Sequence, residues 1–226
     1  MLAKSEILSI YKSLSNTYPT FDQSDDEWMT NGLSSTPFRS IVSAALSTMT
    51  TTKRVVAACV PLYKKVSTFE ELLALDDEEL RSIIKPVAHY NKKTKSLKMM
   101  CKQIIERHGG KIPGTKEELL QLQGIGLKCS SLIMNFLFDT PLIAVDTHIH
   151  RLLNRLGVVD TNSTDVTTKI INDVTPSNYK KHAHEWLIQH GMKVCVARNP
   201  RCDDCIISSH CAYCSDTLLS WAGDTK

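Results

Sequence analysis

The amino-acid sequence predicts an all-α fold, and three observations carry that expectation. Apolar residues recur at helical spacing through most of the 226 residues. No segment alternates apolar and polar residues as a half-buried strand does, and helix start and stop signals follow one another at short intervals. A hydrophobic content of 42% is ordinary for a globular protein with a core, and the length suits one large domain or two small ones.

The elements follow in order. Residues 2–18 carry Leu2, Ile7, Leu8, Ile10, Tyr11 and Leu14 as an amphipathic helix. Residues 19–37 are polar, with prolines at both ends, and read as a loop with one helical turn. A helix from Phe38 to about Ser47 places Phe38, Ile41, Val42, Ala45 and Leu46 on one face; Thr-Met-Thr-Thr-Thr at 48–52 interrupts it. The next helix carries Val55, Val56, Cys59, Leu62 and Tyr63. Thr68 with Glu71 and Thr115 with Glu118 fit capping boxes, and Asp76 with Glu79 is a similar start. Pro86 ends this run of short helices. Asn91 to His108 forms a longer helix, stopped by Gly109-Gly110. After Asp146, helices are expected over 147–156, 164–173 and 177–192, the last with Pro176 at its start.

A formal charge of +3 is mild, so any nucleic-acid binding must rest on local basic clusters. No stretch approaches the roughly 18 apolar residues of a membrane span. The N-terminus MLAKSEILSIYKSL is too polar for a secretory signal. Eight cysteines without such a signal favour metal ligation over disulfides, and an interior compartment, cytoplasm or nucleus, over secretion.

The most informative stretch runs from Leu122 to Asp146. A capped helix, Thr115 to Leu122, runs into Gly124-Ile125-Gly126, and a second helix starts near Lys128. Two glycines around one apolar residue make a tight hairpin between helices, because glycine tolerates positive φ. Amides at the start of the second helix favour an anion such as a phosphate. Lys128 is a cation on the wrong end of the helix dipole, a placement that favours the neutral, nucleophilic amine. Cys129, Leu132, Ile133, Phe136 and Leu137 form an apolar stripe on this helix. Its ten residues rise roughly 15 Å, and the link from Asp139 to Asp146 spans at most about 25 Å. The chain can therefore bring a carboxylate back to the side of the amine. Asp146 also suits the N-cap of the helix that begins at Thr147.

Cys195, Cys202, Cys205 and Cys211 are separated by six, two and five residues. Four thiols so crowded call for a soft metal, and the spacing alone admits tetrahedral zinc or a [4Fe–4S] cluster. Between the first two ligands, Arg198 and Arg201 are well placed to meet phosphates. Cys59, Cys101, Cys129 and Cys214 are left over, with Cys214 close enough to substitute as a ligand. His182, His184 and His190 read as surface or packing residues of the helix that leads into the box.

Leu-Gln-Gly-Ile-Gly-Leu-Lys, followed eighteen residues later by the aspartate of AVDTHIHRLLNR, resembles the helix-hairpin-helix and aspartate signature of the endonuclease III family of DNA glycosylases. Tyr90-Asn91, Thr147-His148 and HAHEWLIQHGMKVC at 182–195 match further family segments, and the resemblance covers roughly residues 37–212. It implies two helical lobes with DNA at the cleft between them. A six-helix barrel with the hairpin would span 30–139, and a discontinuous iron–sulfur lobe would comprise 1–29 and 140–226. It implies a [4Fe–4S] cluster on the four cysteines, duplex DNA as partner, a monomer, and DNA contacts from Met49, His89, Tyr90, Asn91, Gly124, Ile125, Gly126, Arg198 and Arg201. It also implies a bifunctional enzyme. Lys128 attacks C1′ of a damaged nucleotide, Asp146 stabilises the oxocarbenium-like transition state, and the resulting imine permits β-elimination 3′ to the abasic site. Relatives without this lysine use activated water, so Lys128 is the argument for the lyase step and for oxidised pyrimidines over mismatch substrates. A non-catalytic DNA-binding module is the rival from another class.

The chain departs from the family at the residues tied to base extrusion. A glutamine is common at Met49, a leucine wedge at His89, an acidic residue at Thr52 and a basic one at Asn199. Residues 213–226, with Trp221, match no family feature.

Overall fold

The computed structural model describes residues 2–23 and 26–215; Trp221 lies outside the described residues. Among the described residues every regular element is helical. The chain divides into two packed units, Met1–Gln23 with Pro141–Lys226, and Ser24–Thr140. The N-terminal helix α1, Lys4–Thr17, belongs to the first.

The unit Ser24–Thr140 contains α2 (Glu27–Thr30), α3 (Pro37–Ser47), α4 (Thr52–Tyr63), α5 (Phe69–Ala74), α6 (Asp77–Ile83), α7 (Tyr90–His108), α8 (Lys116–Leu120) and α9 (Leu127–Phe138). α3 is the central element. Its residues from Ser40 to Leu46 are all buried, and it packs against α4, α7 and α9. The short helices are set by their caps. Thr68 Oγ1 accepts the Glu71 amide at 3.2 Å, Thr115 Oγ1 accepts the Glu118 amide at 3.3 Å, and Asp76 Oδ1 accepts the amides of Glu78 and Glu79. Such a cap contributes about 1 kcal/mol, which matters for helices of five to seven residues. The Glu71 carboxylate accepts from the Ser67 amide and hydroxyl and also faces the Thr68 amide.

The other unit adds α10 (Thr147–Leu156), α11 (Thr164–Val174) and α12 (Ser177–Lys193). α12 packs on α10 and on α1. Ile10, Leu14, Ile149, Leu156 and Leu187 meet in its core. Gly191 permits the close approach of α12 to α10, since a Cβ there would stand 3.2 Å from the His148 carbonyl oxygen.

Two predicted faces differ from those formed. Leu8 points outward on α1, whose buried seam is Ile7, Ile10, Tyr11 and Leu14. On α9 the buried face is Cys129, Ser130, Ser131, Ile133, Met134 and Asn135, while Phe136 is exposed. The apolar stripe misled because small polar side chains let α9 lie close against α3, where bulky ones would hold it away.

Candidate functional site

The hairpin is built from the unit Ser24–Thr140. Ile125 is its buried anchor, and its amide donates to the Leu122 carbonyl at 3.1 Å. Gln103 of α7 holds the turn from outside: its Oε1 accepts the Gln123 amide at 2.7 Å. The two glycines are not equivalent. Gly124 has φ +85°, and a Cβ there would lie 3.2 Å from Ser96 Cβ. Gly126 has φ −103° and ψ −174°, an extended conformation open to any residue, with nothing within 4 Å of a Cβ. Only the first glycine is demanded by backbone geometry. α9 then starts with Gly126 as a cap that offers no side-chain acceptor, and Lys128, half-buried, is the second residue of its first turn.

Two exposed tips stand out in the same unit. Met49 follows α3 with φ +54° and is 80% exposed; His89 precedes α7 with φ +56° and is also exposed. Left-handed backbone costs a residue with a Cβ roughly 1–2 kcal/mol, so surrounding contacts must hold both conformations. Those contacts centre on Lys93, which the sequence did not single out. Its ammonium donates to the carbonyls of Leu46 at 2.8 Å and Thr48 at 2.6 Å and to Thr50 Oγ1 at 3.0 Å. Thr50 Oγ1 also accepts the Ala88 amide at 3.1 Å. Burial pushes the Lys93 ammonium down to about 8. Tyr90 is half-buried and Asn91 exposed at the start of α7.

Asp146 lies in the other unit and is half-buried. It is the N-cap of α10: Oδ1 accepts the amides of His148 at 2.9 Å and Ile149 at 3.0 Å. The buried run Ile143, Ala144 and Val145 delivers it. That run is clamped by Asn172, whose amide group exchanges two hydrogen bonds with the backbone of Ile143, and by His184, paired with the Ala144 carbonyl at 2.9 Å. Sequence reading placed Asp146 but missed both clamps, because their partners are 29 and 40 residues away.

Cys195, Cys202, Cys205 and Cys211 line one half-open pocket in this unit, together with Cys214, Leu152, Leu156 and His190. The four thiols share the wall of this one pocket, an arrangement suited to a soft metal. The donors around the pocket agree. His190 Nε2 stands 3.5 Å from Cys205 Sγ, and Arg155 Nη1 donates to Cys195 Sγ at 3.5 Å. The Ile207 amide faces the Cys205 thiol, and those of Tyr213 and Cys214 face Cys211. N–H donors aimed at sulfur stabilise thiolate ligands. Burial pushes the Cys205 thiol up to about 11 and raises Cys202 and Cys211.

The loop after Cys195 is held from behind. Arg155 donates to the carbonyls of Val196 at 2.8 Å and Ala197 at 3.0 Å, and Arg151 donates to the Cys195 and Gly191 carbonyls at 2.8 Å. Asn199, at φ +51°, turns the loop, and Arg198 and Arg201 are exposed on it. His182, His184 and His190 each have a partner in packing, as their helix setting suggested.

Residues 42–177 match the model of the HhH-GPD superfamily base excision DNA repair protein, and residues 195–211 match the iron–sulfur binding domain of endonuclease III. The chain belongs to the HhH-GPD superfamily of base excision DNA repair proteins. Endonuclease III of Escherichia coli (strain K12) is 35% identical over 179 residues, covering 79% of this chain and 85% of that protein. Endonuclease III of Haemophilus influenzae (strain ATCC 51907 / DSM 11121 / KW20 / Rd) is 36% identical over 177 residues, covering 78% and 84%. A non-covalent endonuclease III–DNA complex superposes with a TM-score of 0.87 at 25% identity, covering 97% of this chain and all of that one. A trapped endonuclease III–DNA covalent intermediate gives 0.87 at 26% identity, covering 96% and 100%. The cofactor of this superfamily member is a [4Fe–4S] cluster. It is a DNA glycosylase of base excision repair. No helix of the described residues is long and apolar enough to cross a membrane.

Proposed function

We propose that this protein is a bifunctional DNA glycosylase and abasic-site lyase that removes oxidised pyrimidines from duplex DNA. The observation that carries the reading is Lys128 in the first turn of α9, directly after the hairpin whose amides suit a phosphate. The target nucleotide leaves the stack before any bond breaks. The Lys128 amine attacks C1′, the bond to the base breaks with the electron pair leaving on the base, and a proton completes the departing base. Asp146 stabilises the positive charge that develops on the sugar. The C1′–O4′ bond of the Lys128 adduct then breaks as the nitrogen lone pair forms the imine, O4′ takes a proton, loss of a C2′ proton follows, and the 3′ phosphate leaves by β-elimination. The trapped covalent intermediate known for a solved relative supports this route.

Cys195, Cys202, Cys205 and Cys211 would hold the cluster. When bound, it supplies a rigid staple for the loop that carries Arg198 and Arg201, and those arginines position the DNA backbone. Gly124, Ile125 and Gly126 present backbone to a phosphate, and Tyr90 and Asn91 flank the wedge. Met49 and His89 occupy the space left by the extruded base. Met49 has no amide group with which to read the base opposite, which favours tolerance of either purine partner.

Borohydride trapping on a duplex with one abasic site tests the chemistry, because borohydride reduces an imine to a stable link. Wild-type protein gives a covalent band and Lys128→Ala gives none. No band from either, with DNA binding intact, leaves a monofunctional glycosylase or a binding module.

A further inference from the structure

Two surface tips of the unit Ser24–Thr140, Met49 and His89, hold the left-handed backbone that residues with a Cβ rarely adopt. They lie 40 residues apart in sequence, yet one side chain ties both. Lys93 reaches back from α7 to the C-terminal end of α3, where the carbonyls of Leu46 and Thr48 accept from it. The same ammonium donates to Thr50 Oγ1, which in turn accepts the Ala88 amide, next to His89. The Lys93 amide donates to the His89 carbonyl at 3.0 Å, so the backbone of the second tip is fixed at the same residue. The three acceptors of the ammonium are neutral oxygens on one short segment; a surface lysine making a salt bridge would look different. A half-buried cation with three such acceptors rigidifies what it touches.

We propose that Lys93 is a positioning residue that sets Met49 and His89 as one preformed insertion device. The inference rests on the glycosylase reading above and deepens it. Lys93 meets neither sugar nor base; it fixes where the two tips stand, and so acts on extrusion of a stacked base and not on the later chemistry at C1′.

The test compares two substrates and adds a measurement without DNA. One duplex carries thymine glycol, which has to be extruded; the other carries an abasic site, which has no base to unstack. In single-turnover reactions Lys93→Met should lower thymine glycol excision by about 10- to 100-fold. Borohydride trapping on the abasic duplex should change by less than about threefold, and Lys93→Arg should restore most of the excision. Equal losses on both substrates, or no loss on either, would overturn the assignment. In the free full-length protein, hydrogen exchange of the amides at 48–51 and 88–90 should quicken in Lys93→Met while the rest of Ser24–Thr140 stays protected. Unchanged exchange there overturns the proposal even if the wild type excises nothing and forms no adduct, a result that would instead sink the glycosylase reading.

Discussion

Replacing Asp146 by asparagine separates two jobs that one carboxylate does. As the cap of α10, Asp146 uses Oδ1 to accept the amides of His148 and Ile149. Asparagine keeps an oxygen in that place and is as good a cap, so the helix should lose only a few tenths of a kcal/mol. What asparagine removes is the negative charge. Loss of one electrostatic stabiliser at a reacting centre costs about 10²- to 10³-fold in rate. Asp146→Ala loses both, adding about 1 kcal/mol of cap energy, or roughly 2–4 °C in melting temperature for a chain of this size. The assay is single-turnover excision of thymine glycol beside a thermal melt, for both variants. Asp146→Asn should melt with the wild type and excise at least a hundredfold more slowly, while Asp146→Ala should be slow and also melt earlier. An asparagine variant that excises within threefold of wild type would refute the charge argument and leave Asp146 a helix cap alone.

Further outcomes bear on the other parts of the site. Gly124→Ala should destabilise the protein by about 1–3 kcal/mol, through positive φ and contact with Ser96, whereas Gly126→Ala should unfold with the wild type in a denaturant titration. Cys202→Ser should lose the brown colour and most iron and sulfide; a colourless wild type carrying one zinc would overturn the cluster assignment. Excision opposite guanine and adenine should differ by less than about threefold, if Met49 reads no base edge. The ratio of excision to abasic-site trapping should fall as pH rises through about 8. Below that value Lys93 offers three N–H donors to its three acceptors, and above it two. The titratable group facing Lys93 from α9 is the Cys129 thiol, itself raised by burial and neutral in this range. Lys93→Arg should abolish the inflection.

Much of the fold was legible because its signals are local. Thr68, Asp76, Thr115 and Asp146 each announce a helix start within three residues, and the structure begins α5, α6, α8 and α10 beside them. The cysteine spacing and the hairpin glycines are equally short-range, so the candidate site could be named residue by residue. Interiors were harder. The buried face of α9 is chosen by what α3 offers it, and no period in its own sequence reports that Ser130, Ser131 and Asn135 face inward.

The sequence by itself determined the helices, the family, the four thiols and the two residues proposed for the chemistry, because those depend on neighbours in the chain. Only the tertiary structure revealed the parts that hold them: Lys93 under the two tips, Gln103 on the hairpin, Asn172 and His184 behind Asp146, and Arg151 and Arg155 behind the cysteine loop. Each of these satisfies backbone groups across 20 to 47 residues of sequence. A side chain's partner at that range is set by packing, since buried polar groups must be paired by whatever the fold brings near.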